Sequence, residues 1–405
     1  MNVTTVRDQF PALQRNINGS PAAYLDGPGG TQAPTSVIDA MSDFLRRGAG
    51  NLGGRYEAST DAEQALSSAR QAMADFINAE PNEIIFGQNM TSLTFSFSRA
   101  LSRTWQEGDE IIVTRLDHDA NITPWVLAAE DRGVTVRRLD FDPTDCTLDL
   151  KMLSGLLNEK TRLLAITHAS NAVGSITDVA RVVEMAHNAG ALVYVDAVHY
   201  APHGLIDVKV TNCDFLACSA YKFFGPHTGI LYGKYEHLEK LSPYKLRPAP
   251  SYAPNKWETG TQSFESLAGV RAAVDFIASL SDGAPRREKI VNTMRSIHEY
   301  GVQLSKQFID GARSIPGLRF YGITAETELS IRTPTFSIAL DGFSPEVISQ
   351  RLGQQGIFVW DGHYYAYAVM ERLGLLDKGG LVRIGFVLYN TEEEVDRVLN
   401  ALDGF

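Results

Sequence analysis

Through the first two thirds of the chain, short apolar runs alternate with longer amphipathic stretches, and this alternation limits the possible folds more than any other feature. Strands are expected at residues 83–86, 110–114, 134–139, 163–167, 192–195, 215–218 and 229–232, from their β-branched and aromatic content. Between or beside them, apolar residues recur at helical spacing over 61–77, 91–105, 122–131, 148–157 and 180–189. A strand, a helix and a second strand in succession bring the second strand back parallel to the first. Repeated this often, the pattern predicts an α/β domain built on a seven-stranded, mainly parallel sheet with helices on both faces.

The alternation lapses over residues 241–257, where Pro243, Pro248, Pro250 and Pro254 make an irregular loop of a kind that borders sites or subunit contacts. A helix is expected over 264–279 and a long one over 285–314, long enough to join two domains. Beyond it, strands at 335–340, 357–360 and 381–385 with helices at 344–354 and 391–402 describe a small α+β domain. The boundaries drawn are 1–20 for an N-terminal segment packing with the small domain, 21–280 for the large domain and 281–405 for the small one.

Composition excludes several functions. A formal charge of −11 with no basic run leaves no electrostatic footprint for nucleic acid. Cys146, Cys213 and Cys218 have neither disulfide-framework nor zinc-ligand spacing, which fits a reducing, cytoplasmic setting. The apolar runs fall short of the ~20 residues of a membrane helix, and residues 1–10 lack the apolar core of a signal peptide. His199 and His203 have metal-ligand spacing, but Pro202 breaks the helix that such a pair requires, so no metal is expected. A nicotinamide oxidoreductase on a doubly wound sheet is the obvious rival, and the dinucleotide glycine fingerprint is missing.

The chemistry converges on two residues. Lys222, in Ser219-Ala220-Tyr221-Lys222, lies just past an apolar strand, where ligands collect in open α/β sheets. Asp196 ends the preceding apolar strand, 26 positions upstream. A lysine and a carboxylate at neighbouring strand ends point to pyridoxal phosphate (PLP), with the amine forming a Schiff base and the carboxylate keeping the pyridine nitrogen protonated. Phe86-Gly87-Gln88-Asn89-Met90-Thr91 joins a strand to a helix, and backbone N–H groups there with the Thr91 hydroxyl suit the phosphate; Thr91 also reads as a simple helix cap. Ser219 and Tyr221 add hydroxyl donors. His118 is placed to stack on the pyridine face, and Asn171 and His199 to reach its hydroxyl.

These motifs occur in order: Asp117-His118 with Ala120-Asn121 and Pro124-Trp125, His168 with Ser170-Asn171 and Gly174, Asp196, then Ser219 with Lys222 and Gly225-Pro226. In this the chain resembles the class V aminotransferases of the fold-type I PLP enzymes, and most of all their cysteine desulfurase and selenocysteine lyase branch. The resemblance implies that Lys222 holds the cofactor, Asp196 pairs with the pyridine nitrogen and His118 stacks on the ring. It further implies that Met90, Thr91 and Ser219 serve the phosphate, and that Asn171, His199 and Tyr221 belong to the cofactor shell. Thr261, in Glu258-Thr259-Gly260-Thr261, matches a residue reaching the phosphate of a neighbouring subunit, which implies a homodimer; it also reads as a cap for the next helix. Arg383 matches the residue that binds the substrate carboxylate, and Gly29, in Gly27-Pro28-Gly29-Gly30, lies in a segment that approaches the substrate.

One position departs from the branch in a way that bears on the reaction. Where the desulfurases carry the cysteine that receives sulfur as a persulfide, the stretch reads Asp361-Gly362-His363-Tyr364-Tyr365-Ala366, with Tyr365 at the cysteine position. A phenol cannot hold a persulfide. The resemblance therefore implies a PLP-dependent enzyme acting on an amino acid as a lyase or transaminase rather than by persulfide transfer. The alternative is a protein that keeps PLP for regulation without turnover. Trp360 and the tyrosines make the expected pocket more aromatic than cysteine alone requires.

Overall fold

The computed structural model describes residues 2–405. Seven strands form the large sheet: β1 (Ile84–Gly87), β2 (Glu110–Thr114), β3 (Thr135–Leu139), β4 (Thr161–Thr167), β5 (Leu192–Asp196), β6 (Phe215–Ser219) and β7 (Gly229–Gly233). Their spatial order is β1-β7-β6-β5-β4-β2-β3, with only β7 antiparallel to its two neighbours. The strands are apolar at consecutive positions because both faces are covered. Ile112, Leu164, Ile166, Val193, Val195 and Leu216 point into one core, and Ile111, Val113, Leu163, Ala165, Tyr194 and Phe215 into the other. Only β3, at one edge, is largely exposed, and Arg137 and Arg138 there discourage pairing with another chain.

On the first face, α1 (Thr35–Arg47) and α2 (Glu57–Ile77) pack with α6 (Phe264–Ser279). On the other lie α3 (Met90–Leu101) and α4 (Thr123–Glu130), whose Phe97 and Trp125 flank Tyr194 of β5. The helix α5 (Val179–Asn188) connects β4 to β5 and buries Val179, Val182, Val183 and Ala186. Helix α1 was not foreseen, although Val37, Ile38, Met41, Phe44 and Leu45 recur at helical spacing; Val37 and Phe44 are its buried residues. The expected 91–105 helix ends at Leu101, and a tighter turn over Ser102–Thr104 completes it.

Helix α7 (Arg286–Ala312), 27 residues long, spans two cores. Ile290, Met294 and Ile297 are buried with the large sheet, whereas Leu304, Phe308, Ile309 and Ala312 are buried in a second cluster. That second cluster covers a four-stranded antiparallel sheet of β8 (Leu318–Tyr321), β9 (Thr335–Leu340), β10 (Trp360–Gly362) and β11 (Leu381–Gly385), ordered β8-β9-β11-β10. Helices α8 (Pro345–Gln354) and α9 (Glu392–Asp403) complete it. The expected strand over 357–360 proves to be two. Ile357–Phe358 pairs in parallel with Ala23–Tyr24, while Trp360 begins β10 and pairs with β11. The chain changes sheets at Val359, which an apolar run cannot reveal.

The first twenty residues touch both bodies. Phe10 packs edge-on against Phe224, Phe276 and Tyr389 at 5.0–5.8 Å. Arg7 pairs with Glu394 of α9 at 3.1 Å, and Asn18 donates to the Gln354 carbonyl.

Gly229, first in β7, lies opposite Gly87 and Ser219, and a Cβ there would come within 2.3 Å of the Asn89 carbonyl carbon and 2.7 Å of the Met90 nitrogen. Only a glycine lets the start of α3 settle against the sheet at this point. Gly229→Ala is expected to cost about 1–3 kcal/mol in denaturant titration through overpacking. Gly155→Ala, in an exposed helical turn with nothing within 4 Å, should be neutral or raise stability by up to ~1 kcal/mol. Equal midpoints for the two variants would contradict the close approach at Gly229.

Candidate active site

Thr167 and Asp196 lie side by side at the carboxyl ends of β4 and β5, Ser219 ends β6 two residues beyond the partner of Asp196, and all three line a cavity of about 840 Å³. This is where an open α/β sheet offers its ligand site.

Lys222 rises from the floor. It sits on one 3₁₀ turn, Ala220–Lys222, directly after β6, and is 8% exposed. Its Nζ donates to the Pro28 carbonyl. Burial and the field of Arg383 lower its pKa to about 7, with Asp196 and Asp26 pulling the other way. Asp196 is also buried, and desolvation raises its pKa to about 6 despite the Val198 N–H that Oδ1 accepts at 2.9 Å and despite Lys222. The amine and the carboxylate thus share one dry pocket.

His118 forms one wall. Its Nδ1 accepts the Ala120 N–H at 3.0 Å, so the proton of the neutral ring lies on Nε2. Burial, with Lys222 and Arg383 nearby, lowers its pKa to about 4, and the ring is neutral at pH 7. It lies parallel to Tyr365 with ring centroids 5.5 Å apart. What fixes His118 is its neighbour Asp117, which is fully buried. Asp117 accepts hydrogen bonds from the Thr114 hydroxyl, from Asn121 Nδ2 at 2.6 Å and from the Thr167 N–H at 3.1 Å, and Asn121 Oδ1 in turn accepts from Trp125 Nε1 at 3.0 Å. Burial and the field of Asp196 raise its pKa to about 8. This chain ties the His118 turn to β4, the strand beside Asp196. Sequence reasoning gave Asp117 no role, although the four-residue spacing of positions 117, 121 and 125 marks one face of a helical turn.

The start of α3 forms the opposite wall. Asn89 caps it, its side chain accepting the Ser92 N–H at 2.8 Å, so the cap is Asn89 and not Thr91. The Met90 and Thr91 N–H groups have no helical partner, and Met90, Thr91 and Ser92 line the cavity. Such an end attracts anions.

Arg383 enters from the small domain on β11. It is 4% exposed, which excludes a surface ion-pair role. Nη1 donates to the Asn171 carbonyl at 3.0 Å, and Nε has no partner. Its guanidinium lies 4.5 Å over the ring of Tyr364. Gly29 is beside it: a Cβ there would come within 3.5 Å of Nη2. Asp26, another residue without a sequence signal, faces it with Oδ1 buried and unpartnered. Asn171 gives Nδ2 to the Tyr364 carbonyl at 2.9 Å and leaves Oδ1 unpartnered. His199 lines the cavity too, but its Nε2 is within 3.0–3.2 Å of Thr335 and Thr333 hydroxyls, which join β5 to the small domain. Tyr221 stacks on His227 at 4.7 Å.

Thr261 stands apart. It is exposed, does not line the cavity, and does not cap α6, whose N-cap is Ser263. Tyr365, Trp360 and Phe95 rim the mouth, Tyr365 being 68% exposed. Cys146, Cys213 and Cys218 are all buried and none lines the cavity.

The donor set fits PLP: an amine on the floor, a carboxylate beside it, a flat neutral ring, a helix start for an anion, and unpartnered polar atoms on Asn171 and Arg383. Comparisons with known proteins agree. The family model of class V aminotransferases matches residues 23–398. A cysteine desulfurase of Pectobacterium carotovorum is 33% identical over 416 residues, covering 99% of this chain and 97% of that one. A probable cysteine desulfurase of Halalkalibacterium halodurans is 33% identical over 421 residues, covering 100% and 98%. Among solved structures, the cysteine desulfurase CsdA of Escherichia coli superposes with a TM-score of 0.87 at 28% identity, covering 100% and 98%. The apo cysteine desulfurase of Thermococcus onnurineus gives 0.89 at 25%, covering 99% and 97%.

The depressed proton affinity of Lys222 is directly measurable. In protein stripped of small molecules, its reaction with a short aldehyde, trapped by borohydride and read by peptide mass, should rise with pH through a midpoint near 7 rather than the ordinary 10.5. Arg383→Gln removes a neighbouring cation and should move that midpoint upward. A midpoint near 10 in both proteins would contradict the burial account.

Proposed function

The chain belongs to the class V aminotransferase family, and from that premise we propose that it is a PLP-dependent enzyme acting on the α-carbon of an amino acid, by elimination or transamination rather than by persulfide transfer. The observation that carries the reading is the convergence, in one buried pocket, of a low-affinity amine at Lys222, a carboxylate at Asp196 and a guanidinium edge at Arg383.

Bound PLP supplies an aldehyde for the amine and an electron-accepting pyridine ring. The residues of the chain do the rest. Lys222 Nζ would hold the cofactor, and with a pKa of about 7 its free-base form, well populated at neutral pH, would accept the Cα proton. Asp196, with Oδ1 spent on Val198, keeps its other oxygen for the ring nitrogen and holds the proton there. His118 presents a flat, uncharged face, and Asn171 and His199 approach from the side. The Met90 and Thr91 N–H groups, the Thr91 hydroxyl and Ser219 take the phosphate. Arg383, its Nη1 anchored on Asn171, offers the Nε edge to the substrate carboxylate.

The case against persulfide chemistry rests on the thiols. Burial pushes Cys146 and Cys213 up to about 12 and Cys218 higher still, so none is a thiolate at neutral pH. Tyr365 occupies the rim instead. The exposure of Thr261 supports a homodimer in which it reaches the neighbouring site. The proposed division is a 1–20 segment, a 21–280 large domain and a 281–405 small domain; the two cores support it in outline, with Ile290, Met294 and Ile297 of α7 packing into the large core and Ala23 and Leu25 into the small one. No helix among the described residues is long and apolar enough to cross a membrane, which is compatible with the expected cytoplasmic setting.

The test uses protein loaded with PLP. Borohydride should fix the cofactor to Lys222, and Lys222→Ala should lose that adduct while still binding PLP. A panel of amino acids including cysteine, cystine, selenocysteine and alanine should then yield pyruvate or keto acid. Sulfide from cysteine should not exceed the pyruvate formed with it by elimination, and it should be unchanged when Cys146, Cys213 and Cys218 are all replaced by serine. Strong desulfuration lost in that triple variant would restore a persulfide route. A cofactor spectrum that no amino acid perturbs would favour the regulatory alternative.

A further inference from the structure

The mouth of the cavity shows what kind of side chain the substrate carries, an inference that rests on the amino-acid reading above. The carboxylate clamp fixes one end of the molecule. Arg383 lies directly opposite Trp360 in the β10–β11 pair. Directly opposed residues in antiparallel strands project to the same face with Cβ atoms about 4.5–5.5 Å apart. Trp360 and Arg383 therefore project to one face, and both line the cavity, yet Trp360 is 53% exposed.

Tyr365 reaches the same space by a different route. Tyr364 and Tyr365 are consecutive residues in the left-handed region, with φ of 53° and 58°. The pair sends the two rings to separate destinations. Tyr364 turns inward beneath Arg383, with its hydroxyl on the Leu381 carbonyl. Tyr365 turns outward over His118. Both carbonyls are held, that of Tyr364 by Asn171 and that of Tyr365 by the Asp119 N–H at 2.7 Å. A conformation that side-chain-bearing residues rarely adopt is thus fixed by two hydrogen bonds, and what it delivers is an aromatic ring at the mouth. Phe95, half-buried, completes the rim.

Charge narrows the choice further. The formal charges lining the cavity are Asp119, Asp196, Lys222 and Arg383. The two cations and Asp196 are committed to cofactor and carboxylate, and Asp119 Oδ2 accepts the Thr123 hydroxyl at 2.8 Å. No cation is left for a second carboxylate. We propose that the site selects amino acids with an uncharged planar side chain, packed against Trp360 and Tyr365, and discriminates against aspartate and glutamate.

The experiment is a spectral titration of the PLP-loaded protein with tryptophan, tyrosine, phenylalanine, alanine, cysteine, aspartate and glutamate, each giving an apparent Kd. Aromatic amino acids should bind roughly tenfold or more tighter than alanine, and the two acidic ones should bind more weakly than alanine. Each aromatic contact is worth roughly threefold to tenfold, so Trp360→Ala and Tyr365→Ala should each lower the phenylalanine-to-alanine affinity ratio by that factor. Tyr365→Phe should restore it. Sedimentation of the same variants separates a substrate contact from a subunit contact: a changed oligomeric state with an unchanged ratio overturns the proposal. So does a wild-type ratio near one, or tight binding of glutamate, while amino acids as a class still perturb the spectrum and the functional reading stands. A spectrum indifferent to every amino acid would overturn the functional reading and this inference together.

Discussion

Two cations buried in one cavity, the Lys222 amine and the Arg383 guanidinium, are the constraint on which the rest of this molecule depends. Burial lowers the proton affinity of both, and the field of Arg383 lowers that of Lys222 further. Left uncompensated, such a pair would cost several kcal/mol. The fold answers with Asp196 on the neighbouring strand and Asp26 near the N-terminus, which pull the two pKa values back. The outcome is an amine that titrates near neutral pH beside a guanidinium that is still charged. That combination suits the proposed pairing of a nucleophilic amine with an anion-binding guanidinium.

The two cations come from different bodies, and this explains why the architecture has two cores. Lys222 belongs to the large sheet, Arg383 to the small one, and α7 runs through both. The connections near the site are polar and specific: His199 to Thr333 and Thr335, Arg383 to Asn171, Asn171 to Tyr364. The left-handed conformations of Tyr364 and Tyr365 cost roughly 1–2 kcal/mol each. They persist because the hydrogen bonds around them leave no alternative, which is how strain is retained at sites that bind and react.

Asp117 shows a second way of holding a site. Its carboxylate is wholly enclosed by donors, and its neighbour His118 contributes a neutral ring with one defined tautomer. A buried network of this kind is effective only when every member is satisfied. From Asp117 through Asn121 to Trp125 it is.

Much of this was legible in the chain. Strand and helix alternation predicted the seven-stranded sheet, and strands such as 110–114 and 335–340 match the structure end to end, because burial on both faces or alternation on one leaves an unambiguous apolar pattern. Lys222, Asp196, His118 and Asn171 stood out as candidates from their places after strands of an open sheet, Arg383 came from the resemblance, and all five line the cavity. The rest was decided by long-range geometry. The run 357–360 divides between two sheets because Ala23–Tyr24, far upstream, claims one half and Arg383 of β11 the other. Asp26 and Asp117 have no local signature of burial, since only tertiary packing removes water from a carboxylate. The sequence by itself determined which groups the molecule owns and the order of its elements, both written in local periodicity. Only the tertiary structure decided that an amine, a guanidinium and two tyrosines 142 and 143 positions beyond that amine would face one cavity, because desolvation and cross-strand register are properties of contacts between distant segments.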